Sequence, residues 1–379
     1  MGEYVFNILG AITYQNLIML VIGCIMIYMA IDKGYEPDLM LPMGFGTILV
    51  NLPLSSVINH ISGGAEVTGA LSMIFDMGIA TELLPLLILI SVGAMCDFSP
   101  LLSNPKMVIF GITAQSGIFL TMGIALLLGY NIYEAGSIGI VGAADGPTPI
   151  YVAARFAPHL LGAISVAAYT YMSLVPIIQP PVIYALTTKK ERRIKMTYSE
   201  KPVSRRAIII FPIAITAVAG IIAPESVALL GFVMFGNLLR VSGVTERLSK
   251  AAQNELANIV TMLLGFSISV SMEGSKFITQ NTLKIIVMGL VAFMLDTACG
   301  VLSAKIMNIF LPEGKKINPM VGGAGISAFP MSSRVIQRMG LAEDKTNHLL
   351  MHAVGANIAG QVCSVIAAGV LVAYLSNIM

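Results

Sequence analysis

Tryptophan is absent from the 379 residues, and charged side chains make up only 11% of them. Soluble domains carry roughly 25% charged residues. With 56% hydrophobic residues and a mean hydropathy of +0.85, no soluble fold of this length could hide its apolar surface. A soluble enzyme, a disordered chain and a coiled coil are thereby excluded, and the composition reads as a polytopic membrane protein. Without tryptophan the interfacial aromatic belt falls to tyrosine. The four cysteines (Cys24, Cys96, Cys299, Cys363) lie far apart and form no CxxC pair, so neither a zinc site nor a disulfide framework is indicated. They read as small buried hydrophobes. A net charge of +2 is too small and too dilute for nucleic-acid binding. The sequence also has no GxxxxGK[ST], HExxH or GxSxG motif. Transport must then draw on an ion gradient, or on chemistry done elsewhere or on a carried group. No Lys or Arg precedes the first apolar run, Leu17 to Ile31, so that run reads as a spanning helix and not as a removable signal.

Spanning helices need roughly 20 mostly apolar residues. Clear candidates are 16–32, 80–98, 107–129, 159–186, 207–223, 255–272, 285–311 and 347–376. Softer segments at 38–54, 66–79, 135–155, 225–240 and 319–339 are short or rich in Gly and Pro. These read as half-helices, re-entrant loops or interfacial helices. The fold class expected is all-α.

Eight of the 22 basic residues fall between Thr187 and Arg206. The positive-inside rule places this stretch in the cytoplasm. It also divides the chain into similar parts, 1–186 and 207–379. Pro37 and Gly44-Phe45 match Pro224 and Gly231-Phe232 at one offset of 187. Asp97 to Leu102 matches Glu273 to Ile278, Val141 to Ala144 matches Val321 to Ala324, and His159-Leu-Leu matches His348-Leu-Leu, in the same order. Such duplication is common in transporters, whose ion sites lie where Gly/Pro-interrupted segments of the two copies meet near the midplane. An inverted repeat with two broken helices is expected, the broken segments being about 136–155 and 318–334. An even number of spans per copy would instead make the copies parallel.

The first broken segment contains Asp145-Gly146-Pro147-Thr148-Pro149. Gly146 and Pro147 interrupt a helix. Irregular backbone at membrane depth is tolerated only when packed in protein or lining a wet cavity. A carboxylate there costs about 2.5–3.5 kcal/mol on insertion scales and is usually retained for a task. Asp145, a threonine hydroxyl and freed carbonyls form a hard-oxygen set suited to a small cation or a proton. Capping of a half-helix near the surface is the plainer alternative. The second broken segment offers Asn318, Ser327 and several glycine carbonyls, and Arg334 follows. Arg334 is suited to hold a carboxylate in bidentate geometry. Pairing with a nearby acid, or snorkelling, is also open. Each break is followed by an apolar helix with polar residues in it. Gln179 and Gln361 read as interhelical glue. Tyr171 and Asn357, at similar distances past the two breaks, read as site residues. Asp296 sits in the middle of a span, nine positions from Lys305, and does not face it. Its role stays open between an ion ligand and a structural acid.

Several runs together carry a family resemblance: Gly142-Ala-Ala-Asp145-Gly-Pro-Thr148, Ala167-Ala-Tyr-Thr-Tyr-Met172, Pro176-Ile-Ile-Gln-Pro-Pro181, Gly322-Gly-Ala-Gly-Ile-Ser327 and Gly355-Ala-Asn357-Ile-Ala-Gly360. Over essentially its whole length the chain resembles the membrane β subunits of sodium-pumping biotin-dependent decarboxylases. The basic tail Leu186 to Arg193 fits the same pattern. The resemblance implies a subunit that decarboxylates carboxybiotin brought by a carrier protein and couples this to Na+ export, with a proton consumed. It implies catalytic roles for Asp145, Tyr171 and Arg334, and contact of Arg334 and Asn357 with the biotin group. It further implies Na+ ligation by Asp145, Asn318, Gly322, Ser327 and Asn357. Ala143 and Ala356 depart from the residues usual in the family, Gly and Pro, and neither change removes a polar ligand. Implied partners are the biotin carrier subunit, a carboxyltransferase α subunit, a small γ/δ membrane subunit and further copies of the chain, in the cytoplasmic membrane. The chain has no Met-Lys-Met biotin acceptor, so biotin must arrive on a partner. A sodium-coupled secondary carboxylate transporter shares the repeat and the ion-binding acid and is the competing expectation. A scaffold without an ion pathway fits a buried Asp145 less well.

Overall fold

A computed structural model describes residues 12–62, 64–196 and 202–378. The absence of a basic leader before the first apolar run, and Lys201 of the basic stretch, fall wholly or partly outside these residues.

The described chain is almost entirely helical, with one short hairpin pairing His60–Ser62 with Ala65–Val67. Among the described residues four helices are long and apolar enough to cross a membrane: Tyr14–Lys33, Pro105–Leu127, Gln280–Phe310 and Leu350–Ile378. Two bent pairs bring the count to six if each is one span. The protein is a multi-pass membrane protein.

One bent pair breaks an expected straight span, and the other bends where an expected span begins. Pro158–Ser173 and Val175–Leu186 meet at 72°. Pro176 has no amide to give Met172, so the helix expected over 159–186 breaks at Leu174. Ala70–Gly78 and Leu83–Met95 meet at 64°. Here Pro85 stands in the first turn after the left-handed Glu82 (φ 61°), and a helix running through it would lose the Thr81 carbonyl. The expected span 80–98 is thus a 13-residue helix, and the soft segment 66–79 is a strand end followed by a helix.

Two three-helix relationships organise the packing. Tyr14–Lys33 packs on Pro37–Asn51, and Arg205–Ile222 packs on Ser226–Ser242. The second member of each pair then crosses to the other part of the chain, Pro37–Asn51 against Ala257–Val270 and Ser226–Ser242 against Leu83–Met95. The latter crossing is close enough to require glycine on both faces. A Cβ at Gly93 would fall 1.8 Å from the Val233 carbonyl oxygen, and one at Gly236 would fall 2.0 Å from that of Ile90. Small residues at such contacts let backbones approach within the bilayer, where packing has no water to drive it.

The remaining elements form two helical hairpins. One is Ile132–Gly139, a 3-10 turn Ile140–Ala143, and Pro147–Phe156. The other is Pro319–Gly323, a short irregular tip, and Met331–Glu343. The first is closed at its base by the His159–Glu134 contact (2.9 Å). The second is closed by the basic linker. The Arg192 carbonyl accepts from Asn318 Nδ2 (2.8 Å) and Asn347 Nδ2 (3.1 Å), and the Arg192 guanidinium pairs with Glu343 (2.6 Å). Lys195–Asp344 (3.0 Å) and Lys305–Glu191 (3.2 Å) add to this clamp.

Candidate functional site

The two hairpin tips meet. The Ser327 amide donates to the Ala143 carbonyl (3.1 Å). Two residues beyond Ala143 lies Asp145, so the acid and Ser327 are within about two residue lengths, some 7 Å, of this bond. The first tip turns because Ala144 takes the left-handed conformation (φ 57°) and Pro147 restarts the helix at its first position, where its missing amide costs nothing.

Asp145 is buried, 4% exposed. Its Oδ1 accepts the Thr148 amide (2.9 Å), and its Oδ2 accepts the Ser364 hydroxyl (2.9 Å). The first bond makes Asp145 cap the half-helix Pro147–Phe156. The second ties it to Leu350–Ile378, far along the chain. Tyr169 closes the other side, its ring so near that a Cβ on Gly146 would stand 2.1 Å from it. Capping and burial therefore coincide at Asp145.

Around Ser327 the second tip is held by carbonyl contacts. The Ser327 hydroxyl donates to Gly360 O (3.3 Å), and Asn357 Nδ2 donates to Ile326 O (2.6 Å). Asn357 Oδ1 is buried without a donor. An orphaned buried acceptor costs about 1–3 kcal/mol, which a cation bound there would recover. Gln179 bonds the Gly323 carbonyl and the Ser332 hydroxyl (2.8 Å each), so it glues the bent pair to the second hairpin.

Other expected site residues lie elsewhere. Asn318 caps its helix through Met320 N (3.1 Å) and spends its amide on the linker carbonyls of Arg192 and Ile194. It contributes nothing to the Asp145 carboxylate. Gly322 packs face to face with Gly300, where a Cβ would lie 2.1 Å from the Gly300 carbonyl oxygen. The Tyr171 hydroxyl is given to the Ile286 carbonyl, and its ring lies over Gly289. Arg334 is exposed in the first turn of Met331–Glu343, with no ion pair among the described residues, so the pairing with a neighbouring acid is not made.

Two contacts were not foreseen. Ser364 lies seven residues, two turns, beyond Asn357 on the same helix face, and this periodicity was the available signal. Tyr169 adjoins Tyr171 in sequence, and only the tertiary turn at Gly146 distinguishes them.

The donors gathered here are one carboxylate, hydroxyls, an amide oxygen and carbonyls. Among the described residues no group of three or more His, Cys, Asp or Glu comes together. That oxygen set suits a hard monovalent ion and not a transition metal.

A family profile described as "Na+-transporting oxaloacetate decarboxylase beta subunit" matches residues 15–375. The chain is 46% identical over 367 residues to the glutaconyl-CoA decarboxylase subunit beta of Acidaminococcus fermentans, covering 97% of this chain and 95% of that one. It is 47% identical over 367 residues to the methylmalonyl-CoA decarboxylase subunit beta of Veillonella parvula, with the same coverage. To the oxaloacetate decarboxylase beta chain of Klebsiella pneumoniae it is 42% identical over 412 aligned positions, covering 94% of each.

Proposed function

The chain belongs to the Na+-transporting decarboxylase beta subunit family, and from that membership we propose how its two hairpins carry out the activity. The protein is the sodium-translocating membrane subunit of a biotin-dependent decarboxylase. It decarboxylates carboxybiotin presented by a carrier and couples the loss of carbon dioxide to Na+ export. The biotin rides on a separate carrier subunit, and a carboxyltransferase α subunit and a small γ/δ membrane subunit complete the complex.

The observation that carries the assignment of the site is Asp145, buried where the tips meet and hydrogen-bonded across to Ser364. Na+ is held by Asp145, Ser327 and the orphaned Asn357 Oδ1. Asn318 and Gly322 act on the ion indirectly, by fixing the second hairpin to the linker and to Gln280–Phe310. Arg334, exposed and unpaired, receives the anionic carboxybiotin. Tyr171 holds its helix against Gln280–Phe310 through the Ile286 carbonyl. Loss of carbon dioxide from carboxybiotin is favoured when the departing nitrogen is protonated. A proton displaced from Asp145 by arriving Na+ meets that requirement, and exchange at one carboxylate links the two events reciprocally.

The hairpin bases support an inverted repeat. The first is closed at His159–Glu134, the second at the Arg192 clamp, and the bent pair Pro158–Leu186 runs from one base to the other. With their tips in contact, the hairpins enter from opposite sides. The halves are 1–186 and 207–379, joined by the cytoplasmic linker.

The test is coupled assay of the purified complex in inverted vesicles. A biotinylated carrier must co-purify on avidin, and decarboxylation must drive Na+ uptake. A complex that moves Na+ on a carboxylate gradient, without decarboxylation, would establish the secondary-carrier reading instead.

A further inference from the structure

Among the described residues two acids are buried, and the protein treats them differently. Asp145 receives two hydrogen bonds. Asp296, fully buried in Gln280–Phe310, holds none at either oxygen. The Ile118 amide faces it but is engaged with the Gln115 carbonyl (3.2 Å). None of the ion pairs among the described residues includes it.

Two glycines mark where this carboxyl points. A Cβ on Gly117 would fall 1.8 Å from Oδ1, and one on Gly142 would fall 3.1 Å from Oδ2. Asp296 is therefore wedged between Ser116–Leu127 and the 3-10 turn Ile140–Ala143, on the wall of the first tip. Thr297, beside it, and Thr121, one turn beyond Gly117, are also buried with unpartnered hydroxyls.

A bare carboxylate in that setting is strongly disfavoured. A permanently neutral acid would give its proton to an acceptor, as buried donors do. None is bonded to it. A small cation resolves both difficulties, because hard cations take oxygen ligands. Asp296 supplies two, and the end of a helix frees carbonyls.

We propose that Asp296, at Gly142, is a second Na+ site, three residues along the first tip from Asp145. This rests on the family's Na+ transport and not on the placement of the first ion at Asp145. Two stations along one re-entrant tip would let an ion pass from one carboxylate to the other without returning to bulk solvent.

The test compares thermal melts of the purified complex in matched NaCl and KCl. Asp145→Asn is expected to keep about half of the Na+-specific Tm shift, and Asp145→Asn with Asp296→Asn none. Asp296→Asn alone should also keep about half. If Asp145→Asn responds to Na+ like the unaltered protein while the double variant does not respond, the second site stands and the Asp145 assignment falls. Equal Na+ shifts in Asp145→Asn and the double variant overturn the proposal. Should Asp296→Asn not fold, Gly142→Ala in the Asp145→Asn background decides. Its methyl group would stand 3.1 Å from Oδ2 and crowd any ion there, so loss of the residual shift supports the site and an unchanged shift overturns it.

Discussion

Ser364 donates its hydroxyl to Asp145 Oδ2 at 2.9 Å across 219 residues of sequence. The acid on one hairpin tip is thereby oriented by a helix that begins at the base of the other hairpin. Any movement of Leu350–Ile378 is felt at the carboxylate.

Removing that donor should weaken ion binding without unfolding the protein. A hydrogen bond to a charged group contributes about 1.5–3 kcal/mol. Ser364→Ala is expected to raise the Na+ concentration for half-maximal decarboxylation about tenfold, since about 1.4 kcal/mol is one decade. An unchanged Na+ titration would remove Ser364 from the site.

Asp145→Asn preserves size and one oxygen but not charge or the titratable proton. As a helix cap alone, Asn would cost only a few tenths of a kcal/mol. The variant should insert, fold and bind its carrier, yet lose decarboxylation and Na+ uptake together. Retention of Na+-dependent decarboxylation would place the chemistry on another residue.

Na+ should protect the fold where K+ does not. A ligand that binds only the native state contributes about 2.7 kcal/mol at one hundred times its Kd. Identical melting in matched Na+ and K+ over the millimolar range would argue against any sodium-selective site.

Arg334→Gln tests an unpaired cation beside the second tip. It should raise the carrier concentration needed for half-maximal turnover, while the Na+-specific Tm shift stays as in the unaltered protein. Arg334→Lys should rescue only part of the effect, because an ammonium lacks the planar fork. Loss of the Na+ shift instead would mean that Arg334 supports the ion site.

The linker clamp carries its own pH dependence. Hydrogen bonds from the Thr346 amide and hydroxyl, with Lys195, hold Asp344 well below its usual range. At Glu191 burial pushes the carboxyl up, but hydrogen bonds from Thr188 and Lys305 outweigh it and the net shift is downward. Depressed carboxylates stabilise the folded form above their ordinary pKa values, 3.8 and 4.5, and the contribution is lost as pH falls through the lowered values. Amides of Thr188 to Ile194 should stay protected from hydrogen exchange at neutral pH and lose protection below about pH 4, after correction for intrinsic rates. Protection that is flat across that window would show that the charges do not hold the linker.

Local rules made the first break legible. Gly146-Pro147 interrupts a helix in any context, and a lone carboxylate in an apolar segment is conspicuous. Both point to Asp145 before any packing is known. The basic linker was equally plain as a boundary, but its clamp was not. Arg192 meets Asn318, Glu343 and Asn347 only through tertiary folding, so the role of Asn318 at the linker could not be read from its own neighbours. The straight span expected at 159–186 failed, and that at 80–98 came out short, because hydropathy averaged over a window takes no account of the backbone donor missing at Pro176 and Pro85. Ser364 escaped because a serine in a long helix usually bonds its own preceding turn. Its distinguishing partner is 219 residues away.

Between the two tips the described residues share a single main-chain hydrogen bond, Ser327 to Ala143. A contact of that kind contributes about 0.5–1.5 kcal/mol, only one to three times RT. The base of the second hairpin, by contrast, is held by ion pairs and linker carbonyls, and that of the first by the His159–Glu134 contact. As a hydrogen-bonded contact the tips thus form a slender latch between two anchored arms. A cation that bound one arrangement of the tips more tightly than another would shift the balance between them by that difference in affinity.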